Sequence, residues 1–246
     1  MRADLLCSGS RGNSCLVRTQ DTNLLIDAGS TKKHLMDSLA RLHVKVEDID
    51  AVLVTHGHSD HISQLKHFTS RPVYSCCTLD CETHHVEPGD RFLVGSVGIV
   101  VIGLSHDAPG TIGFVLRSGP SKLVYITDTG FVPNAAKPLL EDGTAYIFES
   151  NHDVQMLMDT SRPLFLKQRI LSDSGHLCNE DSAMLLAGLV GPHTKAVVLA
   201  HISEQANTPA KALAAFHEGF RKRHVDDSSI QVQAAAPRKI TTIEDI

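Results

Sequence analysis

Residues 55–61 read THGHSDH and follow directly on the apolar run AVLV. A single histidine there is readily explained as a packed core or surface residue. Four donors, His56, His58, Asp60 and His61, first on alternating and then on adjacent positions, form a pattern that metal binding explains and packing does not. They fall in a loop that leaves the end of a strand, where connecting segments carry binding chemistry. Imidazole and carboxylate suit Zn, Mn or Fe, and the lack of a cysteine among the four speaks against a closed structural zinc site.

Later stretches repeat one design, an apolar strand ending in a polar donor. VVIGLSHD leads to His106, KLVYITD to Asp128 and KAVVLAHIS to His201. Around them, short strand-like runs at ADLLC, SCLVRT and NLLIDAG are separated by Gly, Ser, Asn and Asp turns. KKHLMDSLARL has helical spacing, with Leu35, Leu39 and Leu42 on one face. HISQLKHF is expected to continue from the motif as a helix. Further strands are expected at RPVYS, VGIVVIGL, TIGFVLRS, KLVYITD, AYIFES and AVVLAHI, and helices at CNEDSAMLLAGLV and PAKALAAFHEGF. The tail IQVQAAAPRKITTI reads as a closing hairpin. Strands first, then helices interleaved with strands, suggest sheets covered by helices.

The 246-residue chain shows no repeat, low-complexity tract or linker, so one domain over residues 1–246 is expected. Its formal charge of -5 argues against a general nucleic-acid-coating protein, because such binding is phosphate neutralisation by Lys and Arg. A nuclease stays possible, since two divalent ions bring about four positive charges to a reaction centre. Aromatics make up 4% of residues and tryptophan is absent, so a base-stacking surface is not evident. Six cysteines form no repeated framework. No apolar run reaches the roughly 18 residues of a membrane span, and the first residues lack the apolar core of a signal peptide. A cytoplasmic location without membrane contact is the expectation.

HxHxDH followed at a distance by a further His, Asp and His resembles the metallo-β-lactamase superfamily over essentially the whole chain. That resemblance implies an α+β fold, a four-layer αββα sandwich with a two-metal centre between its sheets. His56, His58 and His106 would hold one divalent ion, Asp60, His61 and His201 the other, and Asp128 would bridge them. Zn, Mn and Fe all suit these ligands. Two ions about 3.5–4 Å apart lower the pKa of a bridging water to about 7 and clamp the oxygens of an in-line displacement. Asp60 would also orient that nucleophile.

Glu149 in IFESNHD and His176 in SGHLCNEDSA resemble the acid and histidine of the superfamily's nuclease branch. A phosphodiester leaves as an alkoxide of high pKa, which gives a proton donor a clear role. His176, oriented by Glu149, would protonate the leaving oxygen. A surface or helix-capping role for His176 is the alternative. SGSRGNSCLV, LLIDAG, THGHSDHI, SHDAPGTIGF, YITDTG and LAHISEQAN look like signatures of the YycJ/WalJ-type branch, with Gly57 where an acidic residue is often found. Membership implies a metal-dependent exonuclease acting 5′ to 3′, with DNA preferred over RNA as partner. The alternatives are an ester, thioester or lactam hydrolase of the same fold, or a non-catalytic metal-binding regulator.

Three weaker signals remain. Ser10, Arg11 and Asn13 in SGSRGNS are candidates to cradle a substrate phosphate, although a glycine-bearing turn explains the segment equally well. CCTLDCETHH, residues 76–85, is rich in Cys and His, but its spacing does not match structural zinc sites. FRKRH, residues 220–224, is the clearest basic run and reads as a solvated helix end.

Overall fold

Strands that are apolar on both faces must be covered on both faces, and that requirement sets the architecture. The computed structural model describes residues 1–246. One sheet contains β1 (Arg2–Cys7), β2 (Ser14–Arg18), β3 (Asn23–Ile26), β4 (Ala51–Val54), β5 (Val73–Ser75) and β6 (His84–His85). The other contains β7 (Arg91–Val94), β8 (Val97–Gly103), β9 (Ile112–Ser118), β10 (Ser121–Ile126), β11 (Ala145–Glu149), β12 (Ala196–Ala200) and β13 (Gln231–Ala234). β14 (Thr241–Ile243) returns to the first sheet beside β1. The helices are α1 (Lys32–Arg41), α2 (Ser59–Ile62), α3 (Lys137–Leu140), α4 (Val154–Asp159), α5 (Leu164–Leu171), α6 (Asn179–Leu189) and α7 (Pro209–Lys222).

Alternation along each strand divides its side chains between layers. Ala3, Leu5, Leu53, Tyr125 and Val198 meet in a buried cluster between the two sheets. On the outer face of the first sheet, Val52 and Val54 pack with Leu35 and Leu39 of α1. On the outer face of the second, Val124, Ile126 and Leu199 pack with Leu186 of α6 and Phe216 and Phe220 of α7. Each such buried side chain contributes about 1.5–3 kcal/mol. The layers run helix, sheet, sheet, helix, which is the αββα sandwich. No helix is long and apolar enough to cross a membrane.

β3 to β6 run parallel, as do β10 to β13. Chemistry-bearing residues follow directly on several of these strands. Asp27, Asp128 and His201, just past β3, β10 and β12, adopt the left-handed region with φ of 57°, 58° and 54°. Non-glycine residues held there cost of order 1–3 kcal/mol and cluster at functional sites.

Two expectations are corrected. HISQLKHF is not one helix: α2 ends at Ile62 and a separate 3₁₀ turn covers Leu65–His67. The reason is tertiary. Carbonyl oxygens that a longer helix would use internally instead accept from the neighbouring loop, Asp60 from Asn13 N–H at 2.8 Å and His61 from Ala28 N–H at 2.7 Å. The tail is not a hairpin either, because β13 pairs with β12 and β14 pairs with β1 in the opposite sheet.

Candidate metal centre

The seven sequence-marked donors converge at one end of the sandwich, four from the first sheet and three from the second. His56 and His58 lie in the loop after β4, and Asp60 and His61 lie on α2. His106, Asp128 and His201 follow β8, β10 and β12. Two compact trios form, His56 with His58 and His106, and Asp60 with His61 and His201, each with ligating atoms within 4.8 Å of one another. Asp128 joins a further set with His56 and His61. His61 Nε2 stands 3.3 Å from Asp128 Oδ2 and 3.6 Å from Asp60 Oδ2, and His201 Nε2 stands 3.4 Å from Asp128 Oδ1.

The histidines are aimed from behind. His61 Nδ1 lies 2.7 Å from Asp27 Oδ2, His106 Nδ1 3.1 Å from the Gly175 carbonyl oxygen, and His201 Nδ1 2.9 Å from Glu149 Oε1. An acceptor at Nδ1 fixes the tautomer that leaves Nε2 with a free electron pair, the arrangement found behind metal-binding imidazoles. His56 Nδ1 contacts Thr55 Oγ1 at 3.1 Å.

The front of the cluster is unsatisfied. His56 Nε2, His201 Nε2 and Asp128 Oδ2 are buried with no hydrogen-bond partner. Each such atom costs about 1–3 kcal/mol if left so. Three of them at one point, all electron-pair donors, are what divalent cations satisfy, so the residues present fit a metal group.

Burial and the charges within the cluster set the protonation of its members. Burial, with the neighbouring His61, drives the His56 pKa down to about 2, so its imidazole is neutral. Burial opposes charge on His201, but Asp128 and Glu149 outweigh it and raise its pKa to about 9. Burial likewise works against the Asp128 carboxylate, yet the His201 and His61 imidazoles hold its pKa well below the usual range.

Glu149 and His176 adjoin this cluster. Glu149 is wholly buried at the end of β11. Its Oε1 lies 2.8 Å from His176 Nδ1, and its Oε2 accepts from Thr129 N–H at 2.8 Å. Burial raises its pKa, while the His176 and His201 imidazoles bring it down to about 2. The His176 ring lies between the trios, 5.0 Å from that of His106 and 5.1 Å from that of His201.

The three substrate-loop candidates separate. Asn13 is buried against the donors themselves, its Nδ2 3.2 Å from Asp60 Oδ2 and 2.9 Å from His61 Nε2, on the face these side chains turn inward. Arg11 pairs with Glu204 at 3.0 Å on the outer side, and Ser10 is exposed. CCTLDCETHH brings no donor set together. Arg221 of the basic run is paired with Glu218.

Sequence reasoning missed Asp27, whose oxygens also accept from Thr55 N–H and Oγ1 at 2.8 Å each. NLLID has the same strand-then-donor design as the three later segments, so the signal was present. It also missed Ser8, whose Oγ accepts from His201 N–H at 2.7 Å, and the Gly175 carbonyl, for which no side-chain signal exists.

A family model described as the beta-lactamase superfamily domain matches residues 22–202. The chain belongs to the metallo-β-lactamase superfamily and is a metal-dependent hydrolase. It is 38% identical to exodeoxyribonuclease YycJ of Bacillus anthracis, covering 82% of this chain and 83% of that one. It is 35% identical to exodeoxyribonuclease WalJ of Streptococcus pneumoniae, covering 82% of each. These relatives place it in the YycJ/WalJ-type branch. The crystal structure of the metallo-beta-lactamase fold protein YhfI from Bacillus subtilis aligns with a TM-score of 0.69 at 18% identity, over 98% of each chain.

Proposed function

We propose that the chain is a DNA exonuclease, removing nucleotides in the 5′ to 3′ direction in a cytoplasmic setting. The observation that carries the reading is the Glu149–His176 pair, 2.8 Å apart, set beside the donor cluster. Likeness to two exodeoxyribonucleases supports it, and six free cysteines accord with a reducing compartment.

His56, His58 and His106 would hold one divalent ion, and Asp60, His61 and His201 a second, with Asp128 shared; Zn, Mn and Fe all suit the set. Such a pair supplies Lewis acidity that activates water and offsets phosphate charge. Asp60, partly exposed on the first turn of α2, orients the attacking water by accepting its hydrogen bond. His176, its Nδ1–H held by Glu149, presents Nε2 as the general acid. As the phosphorus–oxygen bond breaks, the Nε2 proton passes to the leaving oxygen, which needs it because an alkoxide is a poor leaving group. Glu149 stabilises the imidazolium before that transfer.

The test is digestion of end-labelled single- and double-stranded DNA and RNA by metal-reconstituted protein, with Asp60→Ala as control. Release of nucleotides from DNA 5′ ends is expected. Preference for RNA, 3′ polarity or hydrolysis of small esters alone would overturn the reading. His176→Ala should keep its metal content while turnover falls about 100-fold or more; undiminished turnover removes His176 from the mechanism.

A further inference from the structure

The segment between Glu149 and His176 contains a helix that leaves large apolar side chains at the surface. α5 carries Leu164, Phe165, Leu166, Ile170 and Leu171, and none of them is buried. Its one buried residue is Lys167, whose Nζ donates to the Met158 carbonyl oxygen at the end of α4. Leu164 and Phe165 are 61% and 66% exposed. A surface helix normally turns its apolar stripe inward and its charges out. Leu164, Phe165 and Leu171 depart from that, and apolar surface left together in water marks an interaction face.

This strap is tethered to the rim of the metal centre at both ends. Arg162 Nε donates to Gln205 Oε1 at 3.1 Å, in the loop after His201. The Arg169 guanidinium pairs with Asp107, the neighbour of His106. The His176 N–H donates to the Ile170 carbonyl at 3.0 Å, so α5 leads straight into the proposed general acid. Leu164 and Phe165 therefore stand between two arginines, each fixed to the loop of a donor histidine. Phe131, the other exposed large aromatic, lies three residues past Asp128.

Resting on the DNA reading above, we propose that α4 and α5 form the face on which unpaired bases of the bound strand stack. Phe165 and Leu164 lie against base faces, and Arg162, bonded to the neutral Gln205, lies beside a flanking phosphate. Aromatic faces between cations are the usual means of holding single strands without sequence preference. A second copy of the chain fits the face less well. A stable protein interface uses about 20–30 residues a side, whereas this strap offers a handful of apolar side chains interrupted by arginines. In a chain of net charge -5, an arginine placed here without a carboxylate partner, Arg162, complements a polyanion.

The experiment compares kcat/KM on a base-bearing single-stranded oligonucleotide with that on an abasic strand of equal length. Metal-loaded wild type, Phe165→Ala, Leu164→Ala/Phe165→Ala and Phe165→Trp are measured. Wild type should prefer the base-bearing strand about 10-fold, the scale of one base–aromatic stack. Phe165→Ala and the double variant should lose that preference, and Phe165→Trp should keep it. An equal preference in wild type and both alanine variants overturns the inference while leaving the nuclease intact. A dimeric wild type that becomes monomeric in the variants with its preference unchanged also overturns it, by assigning the face to a second copy. A wild type that digests neither strand defeats the nuclease reading itself, and this inference with it.

Discussion

Replacing Asp27 by asparagine tests whether the donors are tuned from behind. Asp27 is wholly buried and takes three hydrogen bonds, from Thr55 N–H, Thr55 Oγ1 and His61 Nδ1, all within 2.8 Å. Asparagine keeps the shape but puts an amide N–H where His61 now finds a carboxylate oxygen. His61 must then accept at Nδ1 and carry its hydrogen on Nε2, which removes the electron pair from the metal side. The loss is one charge-assisted hydrogen bond, about 1.5–3 kcal/mol, or about 10–100-fold in affinity at 1.36 kcal/mol per decade. Only the ion held by Asp60, His61 and His201 should weaken; the one at His56, His58 and His106 should not. Burial pushes the Asp27 pKa up even with His61 beside it, so the interior gains little from the charge itself. The metal-free variant should thus lose about 1 kcal/mol, one Thr55 bond, and melt only a few degrees lower. Calorimetric titration of metal-free protein should resolve one unchanged and one weakened site. Wild-type affinity at both sites refutes the reasoning.

Gly29→Ala places a Cβ 1.7 Å from the Asp60 carbonyl oxygen, so α2 must move away from the Asn13 loop. A loss of about 3 kcal/mol, at the upper end for overpacking, should lower Tm by about 6 °C or more; an unshifted melt excludes the close approach. Asp4→Asn probes the far end of the sandwich, where Asp4 is wholly buried and bound by Arg2, Arg18 and Thr242. Burial raises the Asp4 pKa, but the bonds from Arg2, Thr242 and Arg18 outweigh it and bring the value below the ordinary one. A depressed folded-state pKa adds stability above the unfolded value that disappears as pH falls through the folded value, here below about pH 4. The variant should be about 2 kcal/mol less stable at pH 7, since both arginines keep solvent contact, and should lose less on acidification. Parallel urea midpoints for the two proteins from pH 7 to pH 3 contradict this. Chelation should abolish hydrolysis and lower Tm, and metal restored to about 100 times its Kd should return about 2.7 kcal/mol; a melt indifferent to chelator argues that the cluster binds nothing.

Most strands were legible because residues such as Val52, Leu53 and Val54 are apolar on both faces, a pattern that needs no tertiary context. The donors were legible for a related reason: each interrupts such a run abruptly. What sequence left hidden depends on partners distant in the chain. α2 stops because its carbonyls are taken by Asn13 and Ala28. β13 and β14 look like a hairpin because short alternating strands do not reveal their neighbours, yet the stretch between them, with Pro237, carries the chain from one sheet to the other. α4 and α5 were missed because they are only six and eight residues long, too short for a helical period to show.

His56, His58, Asp60 and His61 come from the first sheet and His106, Asp128 and His201 from the second, and the chain passes between the sheets in the stretch 86–90 linking β6 to β7. A cut at that link would divide both proposed trios between two fragments: one trio loses His106, the other His201. Uptake of cation by the mixed fragments beyond what each takes up alone would thus gauge their complementation, with no reporter attached.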